Sequence, residues 1–297
     1  MKHFLYLVFW YLKAKFFGKK NPLQVVLLIS DACNLQCKHC YVVQKQQPHV
    51  KTAAQIEEEM RYAYAEGARF VDFEGGEPMM WRDGNLTVND LIDIAKKIGY
   101  FSCTVTTNAQ FPFEDCRADS IWVSLDGLGK HHDTVRGEGV FARLEQNLQS
   151  NTHPAISANM VIDSNNYTSV EETARYVQRH PHLKSVSFNF YTPDRLPDPL
   201  FLDWDKRRET IDLILRLKKE GLPIMNSVSG LKKMKDNRFK KACWITRFIL
   251  PDGTRCERCP MEEIGACDFC GYCMAGEMSC VFHLRPDTLM AGMKLRI

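Results

Sequence analysis

The sequence lacks several features that would each assign it to a class of protein. Its longest apolar run spans about nine residues, far below the ~20 that a membrane-spanning helix needs, and no convincing cleavable secretory signal is present. The net charge of +3 is too small to indicate a nucleic-acid-binding protein. Repeats and low-complexity tracts are also absent. With 297 residues, 45% of them hydrophobic and 25% charged, the chain is predicted to be globular, with room for one large domain and a small appendage.

What the sequence has in excess is cysteine, with 12 residues. A disulfide framework would distribute its partners through a small secreted chain, whereas closely spaced thiols bring several sulfur ligands to one point. Cys103 and Cys116 stand apart from two dense groups, one near each end of the chain. The spacing predicts zinc or iron–sulfur ligation in a reducing cytoplasm. The candidate ligands are Cys33, Cys37, Cys40, Cys243, Cys256, Cys259, Cys267, Cys270, Cys273 and Cys280.

The N-terminal segment is aromatic and apolar over residues 4–12, and the lysines at positions 13, 15, 19 and 20 follow it. This order is typical of a helix that lies in the membrane interface. We therefore expect contact with a membrane surface through residues 3–20 and a peripheral location on the inner face of the cell membrane. The alternative is a terminal helix that packs on the fold or closes its open end.

Strands and helices are predicted to alternate through the middle of the chain. Apolar runs predict strands at 24–30, 69–73, 101–106, 121–125, 156–162 and 185–190. Helical periodicity predicts helices at 52–66 with Thr52 as N-cap, 88–98, 141–149, 169–179 and 205–219. This alternation predicts an α/β fold, a partial (β/α)6 TIM-like barrel. We expect the barrel to occupy residues 23–230, between an N-terminal helix in 1–22 and a Cys-rich extension over 231–297.

Polar and reactive residues follow four of the predicted strands, in segments 31–40, 74–78, 107–108 and 126–127. Barrel enzymes carry their reacting groups at the C-terminal ends of the strands. We therefore expect these segments to meet at one mouth of the barrel.

The first cysteine group is a CxxxCxxC motif formed by Cys33, Cys37 and Cys40. Three thiolates leave one iron of a four-iron cluster with an open position. The motif and its place after the first strand resemble the radical S-adenosylmethionine (SAM) superfamily, in which SAM chelates that iron; a zinc site or chance spacing is the alternative. The resemblance implies that an external donor such as flavodoxin or ferredoxin reduces the cluster. SAM is then split into methionine and a 5′-deoxyadenosyl radical that attacks an unactivated carbon or a double bond.

Two further motifs carry the same resemblance. Residues 74–78 (EGGEP) look like the family's GGEP element, whose glycines let backbone approach the ligand and whose Glu77 faces the ammonium group of SAM. Thr107 and Asn108 stand where the family often reads TNG, with Ala109 in place of glycine.

By the same resemblance, His39 lies near the adenine and Ser124 contacts the ribose or methionine portion of SAM, with Asn159 as a second ribose candidate. Arg136 is either a contact for the SAM carboxylate or part of a structural salt bridge. The cofactor-binding residues predicted in this way are His39, Gly75, Gly76, Glu77, Pro78, Thr107, Asn108, Ser124, Asp126, Arg136 and Asn159.

The C-terminal cysteines resemble the SPASM and twitch extensions, which carry one or two auxiliary iron–sulfur clusters. Residues 248–256 are predicted to form a hairpin that delivers Cys256, although the usual SPASM spacing is not reproduced. The resemblance implies one auxiliary four-iron cluster; two clusters or a zinc ribbon are the alternatives. Cys280 lies past the tight group and is a candidate spare.

Single residues elsewhere are candidates for catalysis or for the substrate cavity. Cys103 is expected in the core, and Cys116 is a candidate hydrogen-atom donor near the barrel's open end. Tyr41 and Tyr191 are candidates for the cavity lining, and Tyr191 is alternatively a rim residue.

A looser resemblance, to the hopanoid-lipid adenosyltransferase group, bears on the substrate. It rests on residues 18–23 (GKKNPL), on 125–133 with 139–141, and on the Cys267-x2-Cys270-x2-Cys273 spacing. It implies a lipid or isoprenoid-like substrate at the membrane. A peptide-modifying maturase and a non-catalytic iron–sulfur or zinc protein are the alternatives.

Overall fold

The computed structural model describes residues 2–42 and 47–296 of the chain. One twisted sheet runs through it in the spatial order β6-β5-β4-β3-β2-β1-β7-β8. The strands are β1 (Gln24–Leu28), β2 (Phe70–Glu74), β3 (Ser102–Thr107), β4 (Ser120–Ser124), β5 (Ile156–Ile162), β6 (Leu183–Phe190), β7 (Thr246–Ile249) and β8 (Arg255–Cys256). Neighbouring strands from β6 through β1 to β7 are parallel, and only the β7–β8 pair is antiparallel. The sheet is open, as the predicted partial barrel requires.

The helices pack on the outer face of this sheet and extend beyond it. They are α1 (Lys2–Phe16), α2 (Ala53–Glu66), α3 (Val88–Ile98), α4 (Lys130–Arg136), α5 (Val140–Gln149), α6 (Val170–Arg179), α7 (Trp204–Lys219), α8 (Val228–Met234), α9 (Pro260–Glu263), α10 (Cys273–Val281) and α11 (Pro286–Arg296). Thr52 is the N-cap of α2 in a capping box with Gln55, as predicted. The strand residues that face the helices are apolar and fully buried, which places the main core between the two layers.

The C-terminal hairpin adds two strands to the six that were predicted. Residues 246–256 fold back at a turn, and Phe248 pairs with Cys256. The first arm also pairs in parallel with β1, so that Gln24 lies opposite Thr246. The hairpin predicted at residues 248–256 is present, and its pairing with β1 extends the barrel sheet into the predicted Cys-rich extension.

The cysteine-rich segment between β8 and α10 spans the open side of the sheet. It leaves one edge at Cys256 and reaches the other edge at Gly271, whose carbonyl accepts a 2.8 Å hydrogen bond from the amide of Phe190. A Cβ on Gly271 would lie 1.9 Å from the carbonyl oxygen of Phe190, so only glycine fits this contact. The segment therefore closes the gap in the barrel wall.

Helix α1 packs across the N-terminal ends of the strands. The Tyr6 hydroxyl donates a 2.6 Å hydrogen bond to the carbonyl of Gly67, just before β2, and the His3 ring stacks on Phe101, just before β3. Its opposite face is exposed and apolar, with Phe4, Leu5, Val8, Phe9, Leu12 and Phe16. The helix thus packs on the fold, but at the end opposite to the mouth where the reactive segments meet. No helix in the described residues is long and apolar enough to span a membrane.

Candidate active site

The CxxxCxxC loop lies at the C-terminal end of β1, where the sequence predicted it. The Lys38 amide donates to the carbonyl of Val135, which holds the loop on α4. Burial raises the pKa of all three thiols, that of Cys37 to about 11, and the guanidinium of Arg136 opposes this rise at each of them. Arg136 Nη1 also lies 3.8 Å from Cys37 Sγ. The loop therefore presents three thiols to one cationic side chain.

Asp126 holds Arg136 and His39 in place behind this loop. Its carboxylate accepts a 2.6 Å bond from Arg136 Nε and a 2.8 Å bond from the amide of Val161, and His39 Nε2 lies at 3.6 Å. Burial is the largest influence and would raise the pKa of Asp126. The charges of Arg136, His39 and His132 and the bond from the Val161 amide together outweigh it and hold that pKa below its usual value. Asp126 is 0% exposed. Protein groups occupy its carboxylate, and its part in cofactor binding stays a prediction; the salt-bridge alternative for Arg136 is present.

Glu77 is held by the loop that follows β3. Its carboxylate accepts hydrogen bonds from the Thr107 hydroxyl and the backbone N–H of Asn108, both at 2.7 Å, and from the backbone N–H of Met79 at 2.9 Å. Glu77 is 2% exposed, and burial raises its pKa. Asn108 Nδ2 also lies 3.7 Å from Cys33 Sγ. The GGEP and TNA segments thus form one unit beside the cysteine loop, and the buried Pro78 begins its single 3₁₀ turn.

The glycines of this unit lie against the backbone that precedes the cysteine loop. A Cβ on Gly75 would lie 2.2 Å from the carbonyl oxygen of Ser30, and one on Gly76 would lie 1.8 Å from that of Ala32. The Gly76 amide donates to Ser30 and that of Glu77 to Ala32. The glycines are therefore required for close approach to the protein's own backbone before Cys33. The predicted approach of this backbone to a ligand stays a prediction.

The inner face of the sheet carries a row of polar side chains. Ser124 pairs with Asn159 in the register of β4 and β5, and Asn159 Oδ1 accepts a 2.8 Å bond from Asn189 Nδ2. Asn189 in turn accepts a 2.9 Å bond from the amide of Cys273. The row therefore connects Ser124 and Asn159, the two residues predicted to contact the ribose of SAM, with the cysteine-rich segment.

Glu74, Tyr41 and Tyr272 line the space between the two cysteine groups. Burial and the charge of Asp72 raise the pKa of Glu74 to about 7, and Thr106 donates to its carboxyl. Tyr41 and Tyr272 are 60% and 46% exposed, yet the surrounding protein raises the pKa of both phenols, and the charges of Glu74 and Cys259 contribute. The shared influence of Glu74 and Cys259 places the two phenols near each other, between the cysteine groups. The sequence analysis missed Glu74 and Tyr272 at this position; the inward position of Glu74 follows from the two-residue alternation along β2.

Four C-terminal cysteines come together as a second centre. The thiols of Cys243 and Cys259 share a hydrogen bond, which lowers the pKa of Cys259 and raises that of Cys243. Charges on Cys267 and Cys270 act on the same thiol of Cys243. The Asn237 amide nitrogen donates to the carbonyls of Cys267 and Asp268 at 2.9 and 3.1 Å and fixes that stretch of backbone. We call Cys243, Cys259, Cys267 and Cys270 the cysteine quartet.

The other C-terminal cysteines lie around the quartet. Cys256 is buried in the hairpin, where burial raises its pKa and the charge of Cys259 adds to the rise. Cys273 is buried at the start of α10 and belongs to the main core. Cys280 is buried farther along α10, and its charged neighbours are Lys233, Glu277 and Asp287 rather than other cysteines. The cysteine quartet is therefore the best candidate ligand set among the seven predicted C-terminal cysteines.

The two isolated cysteines and Tyr191 have ordinary surroundings. Cys103 is in the main core, as expected. Cys116 is also buried there, and the charged groups that act on it are Asp115, Arg117 and Lys96 of the outer layer. This contradicts the expected position of Cys116 near the open end. The Tyr191 hydroxyl donates a 3.1 Å bond to Asp198 just beyond the C-terminal end of β6, which suits a cavity or rim residue.

The donor sets of both centres fit iron–sulfur clusters. Each is made of thiols, and each has a buried guanidinium beside it, from Arg136 or Arg207, that favours a bound anion. Among the described residues, no three Cys, His, Asp or Glu side chains are arranged to hold a single metal ion. A four-iron cluster has a different requirement, since each thiolate binds a different iron.

Comparison with known proteins agrees with this geometry. Residues 27–150 match the family described as the Radical SAM superfamily. A GTP 3′,8-cyclase of Psychromonas ingrahamii is 31% identical over 135 residues, which is 42% of this chain and 39% of that protein. SuiB of Streptococcus suis bound to S-adenosylmethionine has a TM-score of 0.64 at 17% identity, covering 81% of this chain and 61% of that one. The anSMEcpe structure with bound AdoMet and Kp18Cys peptide has a TM-score of 0.62 at 16% identity, covering 81% and 75%.

The family match covers less than half of the chain, and the chain spans about two fifths of the cyclase and three fifths of SuiB. Within the matched residues lie Cys33, Cys37, Cys40 and the GGEP element. A four-iron cluster and SAM are the cofactors of that family. The chain therefore contains a radical SAM domain at residues 27–150, in the partial-barrel fold of the radical SAM enzymes.

Proposed function

We propose that this protein is a radical SAM enzyme that modifies a polar substrate, most simply a peptide, inside its partial barrel. The observation that carries the proposal is the CxxxCxxC loop at the C-terminal ends of the strands, beside the polar inner face of the sheet. When bound, the cluster and SAM supply reductive cleavage of SAM and a 5′-deoxyadenosyl radical for attack on an unactivated carbon. Electrons come from a small donor such as flavodoxin or ferredoxin.

The chain's own residues prepare the first site for this chemistry. Cys33, Cys37 and Cys40 would hold a four-iron cluster with one position left for SAM. Arg136 offsets the negative charge of the thiolates, and Asp126 keeps its guanidinium in place. Glu77 accepts three hydrogen bonds and retains acceptor capacity for a ligand ammonium group.

The inner wall favours a polar substrate over a lipid. Beyond the asparagine row, Thr104 bonds Ser120 and Ser157 bonds Ser185 across adjacent strands, each at 3.0 Å. A hydrocarbon chain offers these polar groups no hydrogen bonds, whereas a peptide can donate to and accept from them. Peptides are bound in the similar anSMEcpe structure and in SuiB with its precursor peptide SuiA.

The position of α1 also separates membrane contact from catalysis. We infer that its exposed apolar face, with the lysines that follow, rests on an anionic membrane surface at the inner face of the cell membrane. The five residues of β1, at about 3.3 Å each, put the mouth roughly 17 Å away at the far end of the barrel. Such an orientation presents the mouth to soluble molecules. Flotation with anionic vesicles tests the contact, and equal flotation of the wild type and Phe9→Glu contradicts it.

The proposed activity is tested on the reconstituted, reduced full chain with SAM and either peptide or lipid extracts. We expect methionine and 5′-deoxyadenosine, measured by mass spectrometry, to form faster with peptide extracts. Cys37→Ser abolishes both products, and the matched control Cys280→Ser keeps them. Absence of both products from the wild type under all conditions contradicts catalysis; stimulation by lipid alone contradicts the peptide substrate.

A further inference from the structure

Arg207 is the largest fully buried side chain in the described part of the protein, at 1% exposure. Arginine is almost never fully buried without an acidic partner. Among the described residues, no carboxylate forms an ion pair with Arg207, and its Nε has no hydrogen-bond partner. The guanidinium therefore carries a buried positive charge that the polypeptide leaves uncompensated.

The surroundings of Arg207 direct this charge toward the cysteine quartet. Its guanidinium lies 4.8 Å from the ring centre of Phe190 and 4.6 Å from that of Trp204. Its Nη2 donates a 2.7 Å hydrogen bond to the carbonyl of Cys270. The charges that favour its protonated form come from Cys270 and Cys273. Aromatic rings thus fix the plane of the guanidinium beside a predicted metal ligand.

We infer that Arg207 is a positioning residue that compensates the charge of an anionic cluster on the cysteine quartet and raises its reduction potential. The inference rests on the auxiliary cluster of the proposed function. Burial of an isolated ion is unfavourable unless a counter-charge lies near it. A four-iron cluster with four thiolate ligands is negatively charged, and each added electron increases that charge. A fixed cation beside it therefore stabilises the reduced form.

The hydrogen bond to Cys270 gives Arg207 a second effect. It fixes the backbone between Cys270 and Gly271, where the segment is already held against Phe190. One side chain, Arg207, therefore both fixes the backbone of a quartet cysteine and places a positive charge beside the proposed cluster. On the first centre the corresponding cation, Arg136, has Asp126 as its own counter-ion.

The test compares Arg207→Met with Arg208→Met in the reconstituted full chain. Arg208 follows directly on α7, is exposed, and pairs only with Asp205 in the described structure, so its loss changes the net charge equally. We expect Arg207→Met to shift the one-electron reduction equilibrium of the auxiliary cluster about tenfold toward the oxidised form. This corresponds to a midpoint potential about 59 mV more negative. A redox titration followed by electron paramagnetic resonance measures this midpoint potential. Arg208→Met and Arg207→Lys should change the potential much less.

Thermal unfolding before and after reconstitution gives a readout that needs no activity. We expect Arg207→Met to unfold at an equal or higher temperature than the wild type without metal, and at a lower temperature once the cluster is loaded. A purely structural arginine would shift both forms in the same direction, which would overturn the inference, as would an unchanged potential.

Iron content and SAM cleavage distinguish a failure of the proposed function from a failure of the inference about Arg207. If the wild type holds only the cluster on the first loop, by iron content, the auxiliary site and this inference both fail. If it holds both clusters but does not cleave SAM, catalysis fails while the effect of Arg207 stands. Should Arg207→Met not fold, Arg207→Gln in the same measurements decides between these outcomes.

Discussion

The two cysteine centres of this protein are built in opposite ways. The first is a segment of eight residues whose three thiols are close in sequence, and it lies at the accessible mouth of the barrel. The second gathers four cysteines from positions 243 to 270 and depends on contacts from outside the segment, including Asn237 and Gly271. A local loop suffices where one iron must stay open, whereas four ligands require the fold to assemble them.

The two centres also differ in whether the arginine beside them has a counter-ion in the protein. Arg136 is paired with a buried carboxylate and keeps its counter-ion whether or not metal is present. Arg207 has no such partner among the described residues and depends on the thiolates or on what they bind. The first centre is thus balanced within the polypeptide, while the second would be completed by the cluster that we propose for it.

The largest expected effect comes from removing one ligand at each centre. Cys37→Ser should abolish SAM cleavage, while Cys270→Ser should leave the first cluster spectroscopically intact and remove about four iron atoms per chain. Iron content and the response of the first cluster's resonance signal to added SAM measure this. Cys280→Ser is the control, since the charged groups near its thiol are Lys233, Glu277 and Asp287 and not other cysteines. Loss of iron from both centres in either single variant would show that they do not form independently.

The next largest effect is on the free energy of unfolding, and it comes from the buried pair of Arg136 and Asp126. Arg136→Met leaves Asp126 as an unpaired buried charge, which costs about 3–5 kcal/mol of unfolding free energy. Urea denaturation of the metal-free chain measures it. Asp126→Asn combined with Arg136→Met should recover part of the loss, because the unpaired charge is then absent. A loss below about 1 kcal/mol in the single variant would show that the buried pair contributes little.

Local patterns in the sequence predicted the elements well and their assembly less well. The bounds of α3 coincide with the predicted 88–98, and Thr52 is the predicted N-cap, because caps and apolar spacing act within a few residues. The pairing of β7 with β1 joins segments more than 200 positions apart, and no local period encodes it.

The same limit applies to the sites. The cysteine spacing predicted the first ligand set, since its members are neighbours in sequence. Spacing alone does not show which of seven C-terminal thiols meet, because their positions depend on the hairpin and on contacts with β6. The roles of Asp126, Gly75 and Gly76 also follow from distant groups that approach only in the folded chain.

The smallest effect concerns one backbone position beside each centre. Ala109, which follows the Asn108 that holds Glu77, has φ of 57°, and Asn237, which holds the Cys267 backbone, has the same φ. This left-handed conformation costs a residue with a Cβ about 1–2 kcal/mol, although asparagine tolerates it better. Ala109→Gly removes that strain but loses a buried methyl worth about 0.8 kcal/mol and adds backbone entropy of about 0.5–1 kcal/mol to the unfolded chain. We expect a change within about 1 kcal/mol of zero.

Asn237→Gly should instead destabilise the chain by about 1–3 kcal/mol, because two hydrogen bonds to the quartet backbone are lost. Parallel urea denaturation of both variants measures the difference. The loss in Asn237→Gly should also reduce the iron content of the second centre alone, since the released backbone carries Cys267. If Ala109→Gly proves the more harmful change, its methyl contacts outweigh the backbone strain, and the family's usual glycine at that position has another cause.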